Sequence, residues 1–498
     1  MIKRVVILFS SIICSEITFN YSSSLDLINE IESIEKEEIN NNLYLFPFVD
    51  LDFVNDRYFN LSKDNDNLRI NPIFAIRYSN AAFEMFEEQT PSDLFWITPG
   101  IEMNFIKPIS VSFFDTGISF QAWARFNKHS AYGFDGETPN DEALMFPYNP
   151  TYSFEFCTAS ESPENAVDFD EGEGAIALTS PWLDVIFGKF RTKMGPSFGG
   201  NLSISSQAPG FAQFQLRLKS EKVIFSFILG ELYSGLLDPV DNLEDGTGAD
   251  LLSNQSLKRY IVNHRIDYKI KDNFRIGLYE QIIVGDNLSF LYMIPTMPFW
   301  SAQHSLGDTD NLQMGFDMEY LKNNNRFYMA LIIDEWAPYD TFNSDHHNWF
   351  GGQFGYSRLL SSNSLFKFEY TRIEPQVYTH DSPINEPFHH SYPLGFWSGG
   401  DSEDVFFKLL FKLKKMKDLE FNLRHTIIGS PEYITDADFL EGDNKRRTIA
   451  TFKINKTVVS KIGPLKYVLE INQIENEGLY DSESFTGCQI SLLYNINY

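Results

Sequence analysis

Aromatic and histidine side chains recur together in a few irregular stretches of this chain. Trp300 precedes His304, Tyr378 precedes His380, and His389-His390 stand just ahead of Tyr392 and Trp397. Trp336 and Trp349 have similar surroundings. An aromatic face stacks on the C–H face of a sugar ring, and imidazole and carboxamide groups hydrogen-bond its hydroxyls. These residue types therefore offer carbohydrate-binding chemistry. The same rings could equally form a girdle at a membrane edge or pack within loops. Covalent chemistry has less support. There is no GxSxG, no Walker loop and no HExxH. Asp401-Ser-Glu-Asp404 brings carboxylates together as in hydrolases, but with no partner they read as solvated acids at a loop tip. His346-His347, His380 and His389-His390 lack metal-ligand spacing. Asp308-Thr-Asp310-Asn311 has calcium-friendly oxygens without the glycine and final Glu of an EF-hand loop. The reading is a non-enzyme with no cofactor and no metal site.

Loop residues of this kind need a frame, and the remaining sequence supplies strands. From about residue 72 the pattern has period 2. Tyr260, Val262, Ile266, Tyr268 and Ile270 alternate with Asn263, Arg265, Asp267 and Lys269; Leu312, Met314, Phe316, Met318 and Tyr320 alternate with Gln313, Gly315, Asp317 and Glu319. Such stretches number about 18, each near the length that crosses a bilayer when tilted. Short polar turns, as at 220–221, 271–272, 322–325 and 414–417, alternate with long loops near 127–172, 191–211, 234–258, 285–310, 336–349, 374–403 and 430–446. Short periplasmic turns and long outer loops are the bacterial barrel layout. The parity requires the alternating stretch 152–157 to belong to the first long loop. The chain ends on Ile490, Leu492, Tyr494, Ile496 and Tyr498 against Gln489, Ser491, Asn495 and Asn497, with only Leu493 breaking the polar side. The expected fold is all-β: a transmembrane antiparallel β-barrel of about 18 strands over 72–498. One strand parity faces lipid. The other, including Arg125, Arg217, Arg265, Asp267, Arg275, Asp317, Glu319, Lys408 and Lys412, faces a wet lumen.

The N-terminus reads as a secretory signal over residues 1–15, with Lys3 and Arg4 before the apolar run Val5–Phe9 and Ile12-Ile13, and Ser15 before cleavage. Residues 16–71 hold a short periplasmic helix, Ser24 to Asn40, and an extended lead-in around 43–48. In the helix Leu27, Ile31 and Ile34 share a face, and Glu30, Glu35, Lys36 and Glu37 are expected to cover the rest. Of the 3 Cys, Cys14 falls in the signal, while Cys157 and Cys488 read as structural. The net charge of −28 excludes a general nucleic-acid binder. It also disfavours a strongly acidic glycan partner, leaving a neutral or cation-bridged one.

Three blocks resemble the Wzi-type capsule-assembly proteins of the outer membrane. They are Phe187-Gly-Lys-Phe-Arg-Thr-Lys-Met-Gly195-Pro-Ser with Asn201-Leu-Ser-Ile-Ser-Ser206; Tyr292-Met-Ile-Pro295-Thr-Met-Pro-Phe-Trp300 with Asp308–Asp317; and Glu369-Tyr-Thr-Arg372 through Tyr378-Thr-His380, His389-His390 and Pro393-Leu-Gly395. The blocks fall in order over about 180–415. The resemblance implies an 18-stranded barrel, a periplasmic N-terminal helical region and a lectin-like role in holding capsular polysaccharide. One clear helix rather than a bundle is a departure, and it leaves open whether the lumen is plugged. The leading functional reading is a non-enzymatic outer-membrane barrel that binds surface polysaccharide, through Trp300, His304, Tyr378, His380, His389, His390, Tyr392 and Trp397, and assists capsule assembly or attachment. The alternative is a porin or a substrate-specific channel for oligosaccharides. The expected partners are the polysaccharide, outer-membrane lipid and, through Tyr498, the barrel-assembly machinery.

Overall fold

The computed structural model describes residues 17–19, 23–39, 45–46, 48–50, 67–80, 94–111, 114–133, 166–206, 208–237, 256–307, 309–334, 349–389, 392–413, 417–429, 439–440, 443–460, 463–477 and 484–494. The predicted signal, the 152–157 stretch, Trp336, His346-His347, His390 and Tyr498 lie outside them.

Among the described residues, 18 of the alternating stretches are strands that close into one antiparallel barrel. In chain order they are β1 (Asn67–Ser79), β2 (Leu94–Val111), β3 (Phe114–Gly133), β4 (Ala166–Thr179), β5 (Leu183–Phe190) and β6 (Phe211–Lys219). Then come β7 (Val223–Leu237), β8 (Ser256–Lys271), β9 (Phe274–Gly285), β10 (Asn311–Lys322), β11 (Asn325–Asp334) and β12 (Trp349–Ser361). The set ends with β13 (Ser364–Ile373), β14 (Ser402–Leu413), β15 (Lys417–Ile428), β16 (Lys445–Ser460), β17 (Gly463–Glu477) and β18 (Ser484–Tyr494). Closure is made by β18 on β1, from Gln489↔Ser79 to Tyr494↔Phe74, so no edge is left for aggregation.

The pleat sorts the side chains. On β8, Arg265 and Asp267 point inward and are buried, while Ile266 and Tyr268 point outward and are half exposed. On β18 Leu493, the one apolar residue on the polar side, packs inside the barrel with Ile73, Ala75 and Val468.

The lumen is not wet where the charge pattern predicted. Arg265 donates to Asp317 through Nη1 (2.6 Å) and Nη2 (2.9 Å), and to Asp267 through Nε (2.9 Å). Arg275 lies 2.6 Å from Asp267 and 2.9 Å from Asp317. Glu319 accepts from Arg326 (2.5 Å), which reaches on to Glu30 (3.2 Å), and Glu30 pairs with Lys367. Four acids thus meet four bases, all buried. A buried charge survives only when paired, and a neutral network of this kind fixes register more than it adds stability.

Glu30 belongs to α1 (Ser23–Lys36). It was expected on the solvent face; instead it is buried against the barrel wall. The reason is helical spacing: Glu30 stands four residues before Ile34, so both share the inward face. α1 sits at the short-turn end. Ile39 N–H donates to the Asp272 carbonyl (2.8 Å), and Asn323 N–H donates to Glu37 (2.7 Å). The lead-in strand Leu45–Phe46 pairs with Lys193–Met194 of the β5–β6 loop.

Candidate functional site

The β5–β6 loop does not stand above the barrel but enters it. Gly195 turns it at φ 132°, a conformation that favours glycine. Ser197 then donates to Gln353 on β12, and Phe198 N–H (3.1 Å) and Gly199 N–H (3.2 Å) both donate to the Glu369 carboxylate on β13. A side chain at Gly199 would put its Cβ 2.5 Å from that carboxylate and displace it from the loop N–H groups. The Gly199 carbonyl accepts from Arg424 on β15 (3.2 Å). The loop is joined to the wall at the fifth and sixth strands and reaches the fifteenth of eighteen, which is the opposite side. Further along, Ser203 donates to Gln281 (3.0 Å), and the Leu202 carbonyl accepts from Tyr378 (2.6 Å).

The β13–β14 loop closes over this crossing. Tyr378, Phe396 and Trp397 pack with Leu202, Ile332, Trp349 and Ile373. Arg424 lies 4.5 Å over the Trp397 ring and is held to Asp404 at 2.9 and 3.0 Å. Asp401 and Asp404 are therefore buried anchors rather than solvated acids at a loop tip: Asp401 accepts from Leu440 N–H (2.8 Å), and Asp404 also accepts from Thr426 (2.7 Å).

The aromatic and histidine residues singled out in the sequence do not converge on one surface. Tyr378 and Trp397 are inside the cluster just described, and Tyr392 is buried in a second cluster with Leu394 and Phe211. Their ring faces are covered, so they hold loops in place; stacking on sugar would require those loops to open. His389 is buried, and its Nδ1 accepts from Tyr233 N–H (2.9 Å). Burial, with the nearby Lys189 charge, pushes it down to about 3, so it is neutral. His380 is partly exposed and accepts from Ser382 N–H (3.0 Å) beside exposed Asp381. Trp300 and His304 are exposed with ring centroids 4.6 Å apart, but they sit on the outside wall of the barrel rather than over its mouth. Among the described residues no three His, Cys, Asp or Glu side chains gather as a metal site. The roles that sequence reasoning missed are those that anchor the crossing loop to the wall, held by Gly199, Gln353, Glu369 and Arg424. Each is an ordinary lumen-parity or loop residue by type, and only the spatial meeting gives it a role.

A polar wall remains on the other strands. Lys408 meets Glu420 (2.7 Å) and Lys453 meets Glu470 (2.8 Å) across β14 to β17; Glu470 is buried and the other three are partly buried. Each Lys of this ladder is matched by a Glu, so the ladder is self-compensating.

A closed antiparallel barrel of 18 strands with an apolar outer band is a bacterial outer-membrane protein. No family model matches the chain, and no curated protein matches it in sequence. Among solved structures it resembles Wzi, an outer-membrane protein involved in group 1 capsule assembly in Escherichia coli and described as a carbohydrate-binding β-barrel. The identity is 12% and the TM-score 0.56, over 97% of this chain and 99% of that one. It also matches Pseudomonas aeruginosa OpdK with vanillate (10% identity, TM-score 0.49, 86% of this chain and 98% of that one). A third match is the P. aeruginosa outer-membrane protein OprD (9% identity, TM-score 0.45, 86% and 93%). Likeness at these identities is likeness of fold.

Proposed function

We propose that this protein is a non-enzymatic, Wzi-type outer-membrane barrel that binds surface polysaccharide at its long-loop end and assists capsule assembly or attachment. The observation that carries the reading is the crossing of the lumen by residues 195–203, tied to opposite walls, with α1 docked at the short-turn end. A binder tolerates such a plug, whereas a diffusion porin needs that space. Hydroxyl recognition is assigned to the partly exposed His380 on the β13–β14 loop. Tyr378, Tyr392, Trp397 and His389 are the scaffold that holds those loops.

The test pairs permeation with retention. Wild-type protein in liposomes should exclude oligosaccharides and should hold purified capsular polymer. Arg424→Leu, verified as folded by heat-modifiable migration, should free the far anchor of the crossing loop and raise conductance in a planar bilayer. A wild-type protein that passes sugars freely and retains no polymer would instead establish the channel reading.

A further inference from the structure

Two apolar clusters sit on opposite faces of the same strands. Ile261 and Ile283 pack in the lumen. Val262, Ile282 and Val284, their neighbours in sequence, point to the lipid side, yet each is almost completely buried. What covers them is the β9–β10 loop. Its Tyr292 and the helix α2 (Phe299–Leu306), through Phe299 and Ala302, pack with Phe227, Val262, Ile282 and Val284, while Phe214, Phe225 and Leu312 flank them. This loop folds down the outside of the barrel.

It also neutralises a polar pair on the lipid-facing parity. His264 Nε2 and Glu280 Oε2 are 3.0 Å apart across β8 and β9. Phe299 N–H donates to the same Glu280 oxygen (2.8 Å), and its ring stacks on His264 at 4.1 Å and 9°. Glu280 stands seven residues above Asn273 in the short turn. At about 3.3 Å per residue and a tilt of about 40°, that is roughly 18 Å, within an apolar band about 25 Å tall. The loop that caps it therefore reaches below the upper edge of the band.

The composition of the loop agrees. Asn287 to Gly307 holds no Asp, Glu, Lys or Arg, in a chain that is 22% charged. Its exposed large apolar residues are Phe290 (84% exposed), Met293, Ile294, Trp300 (49% exposed) and Leu306, and the polar residues exposed with them, Asn287, Thr296, Ser301, His304 and Ser305, are none of them acidic or lysine or arginine. We infer that residues 287–307 are immersed in the outer leaflet of the membrane, with Phe290, Ile294 and Trp300 against lipid acyl chains. The occupant of this face is lipid because the face continues the barrel's own apolar band and carries no charge. In this arrangement Trp300 and His304 are membrane contacts rather than sugar contacts.

The test uses the full chain with its three cysteines replaced by alanine, refolded into phosphatidylcholine–phosphatidylglycerol vesicles and checked by heat-modifiable migration. A nitroxide is attached at Phe290→Cys, at Trp300→Cys, at Leu278→Cys as the lipid-facing control, or at Asp286→Cys as the aqueous control. Relaxation by oxygen should exceed relaxation by a water-soluble nickel chelate at 290 and 300 by the same factor as at 278, with the reverse at 286. Values at 290 and 300 that match those at 286 would overturn the inference. So would protection from both reagents that is relieved when protein is diluted in lipid, because a second copy would then cover this face. Neither result depends on whether the protein holds polysaccharide.

Discussion

Glu30 is the single contact that most directly tests whether α1 is a fixed part of the barrel. Its carboxylate is 3% exposed and is held by Lys367, by Arg326 (3.2 Å) and by the Ser357 hydroxyl (2.8 Å). Burial alone would raise its pKa. The Lys367 and Arg326 charges outweigh burial and lower it from 4.5 to about 2. That lowering corresponds to about 3 kcal/mol. Removing one member of a buried pair costs about 3–5 kcal/mol by a separate route, because the surviving cations stay buried. Both give the same expectation for Glu30→Gln: the undocking equilibrium of α1 moves by roughly a hundredfold. The strand ladder does not depend on Glu30, so the barrel itself persists. The folded pKa lies below the unfolded one, so this contribution is complete above pH 4.5 and lost as pH falls toward 2; at pH 3 about 2 kcal/mol should be gone. Hydrogen exchange read by mass spectrometry on the peptide covering 31–39 is the assay. Exchange there should accelerate in the Gln variant at neutral pH and in wild type near pH 3, with β9 to β11 unchanged. Equal protection in wild type and variant would refute the docking energetics.

Two other outcomes are expected. His389 is held neutral with its pKa at about 3, below the ordinary 6.5, so its contribution is present above pH 6.5 and lost as pH falls toward 3. At pH 5 the β13–β14 loop should lose about 2 kcal/mol, seen as faster proteolysis of 374–401, and His389→Gln should flatten that pH dependence; an unchanged pH profile would count against it. Deleting Tyr498, proposed as the signal read by the barrel-assembly machinery, should lower the amount of folded barrel in the outer membrane, and an undiminished level on heat-modifiable migration would remove that role.

The barrel was legible because a strand in a membrane has a simple rule. Each residue faces either lipid or lumen, so period 2 survives in types such as Leu312-Gln-Met-Gly-Phe-Asp317. The plug was not legible, since the Phe198 and Gly199 N–H groups meeting Glu369 across the barrel leave no local trace. The rings of Tyr378, Tyr392 and Trp397 look alike in sequence whether they face solvent or a loop core, and the structure puts all three inside. One trace was present and carried information. Ile261-Val262 and Ile282-Ile283-Val284 break the alternation with consecutive apolar residues near the long-loop ends of β8 and β9. A strand between lipid and a polar lumen has no use for them. Consecutive apolar residues require cover on the inner face as well as the outer one. The inner cover is the lumenal cluster holding Ile261 and Ile283, and the outer cover is the uncharged loop 287–307. The same two short runs thus encode a packed inner cluster on one side and a loop lying in the membrane on the other.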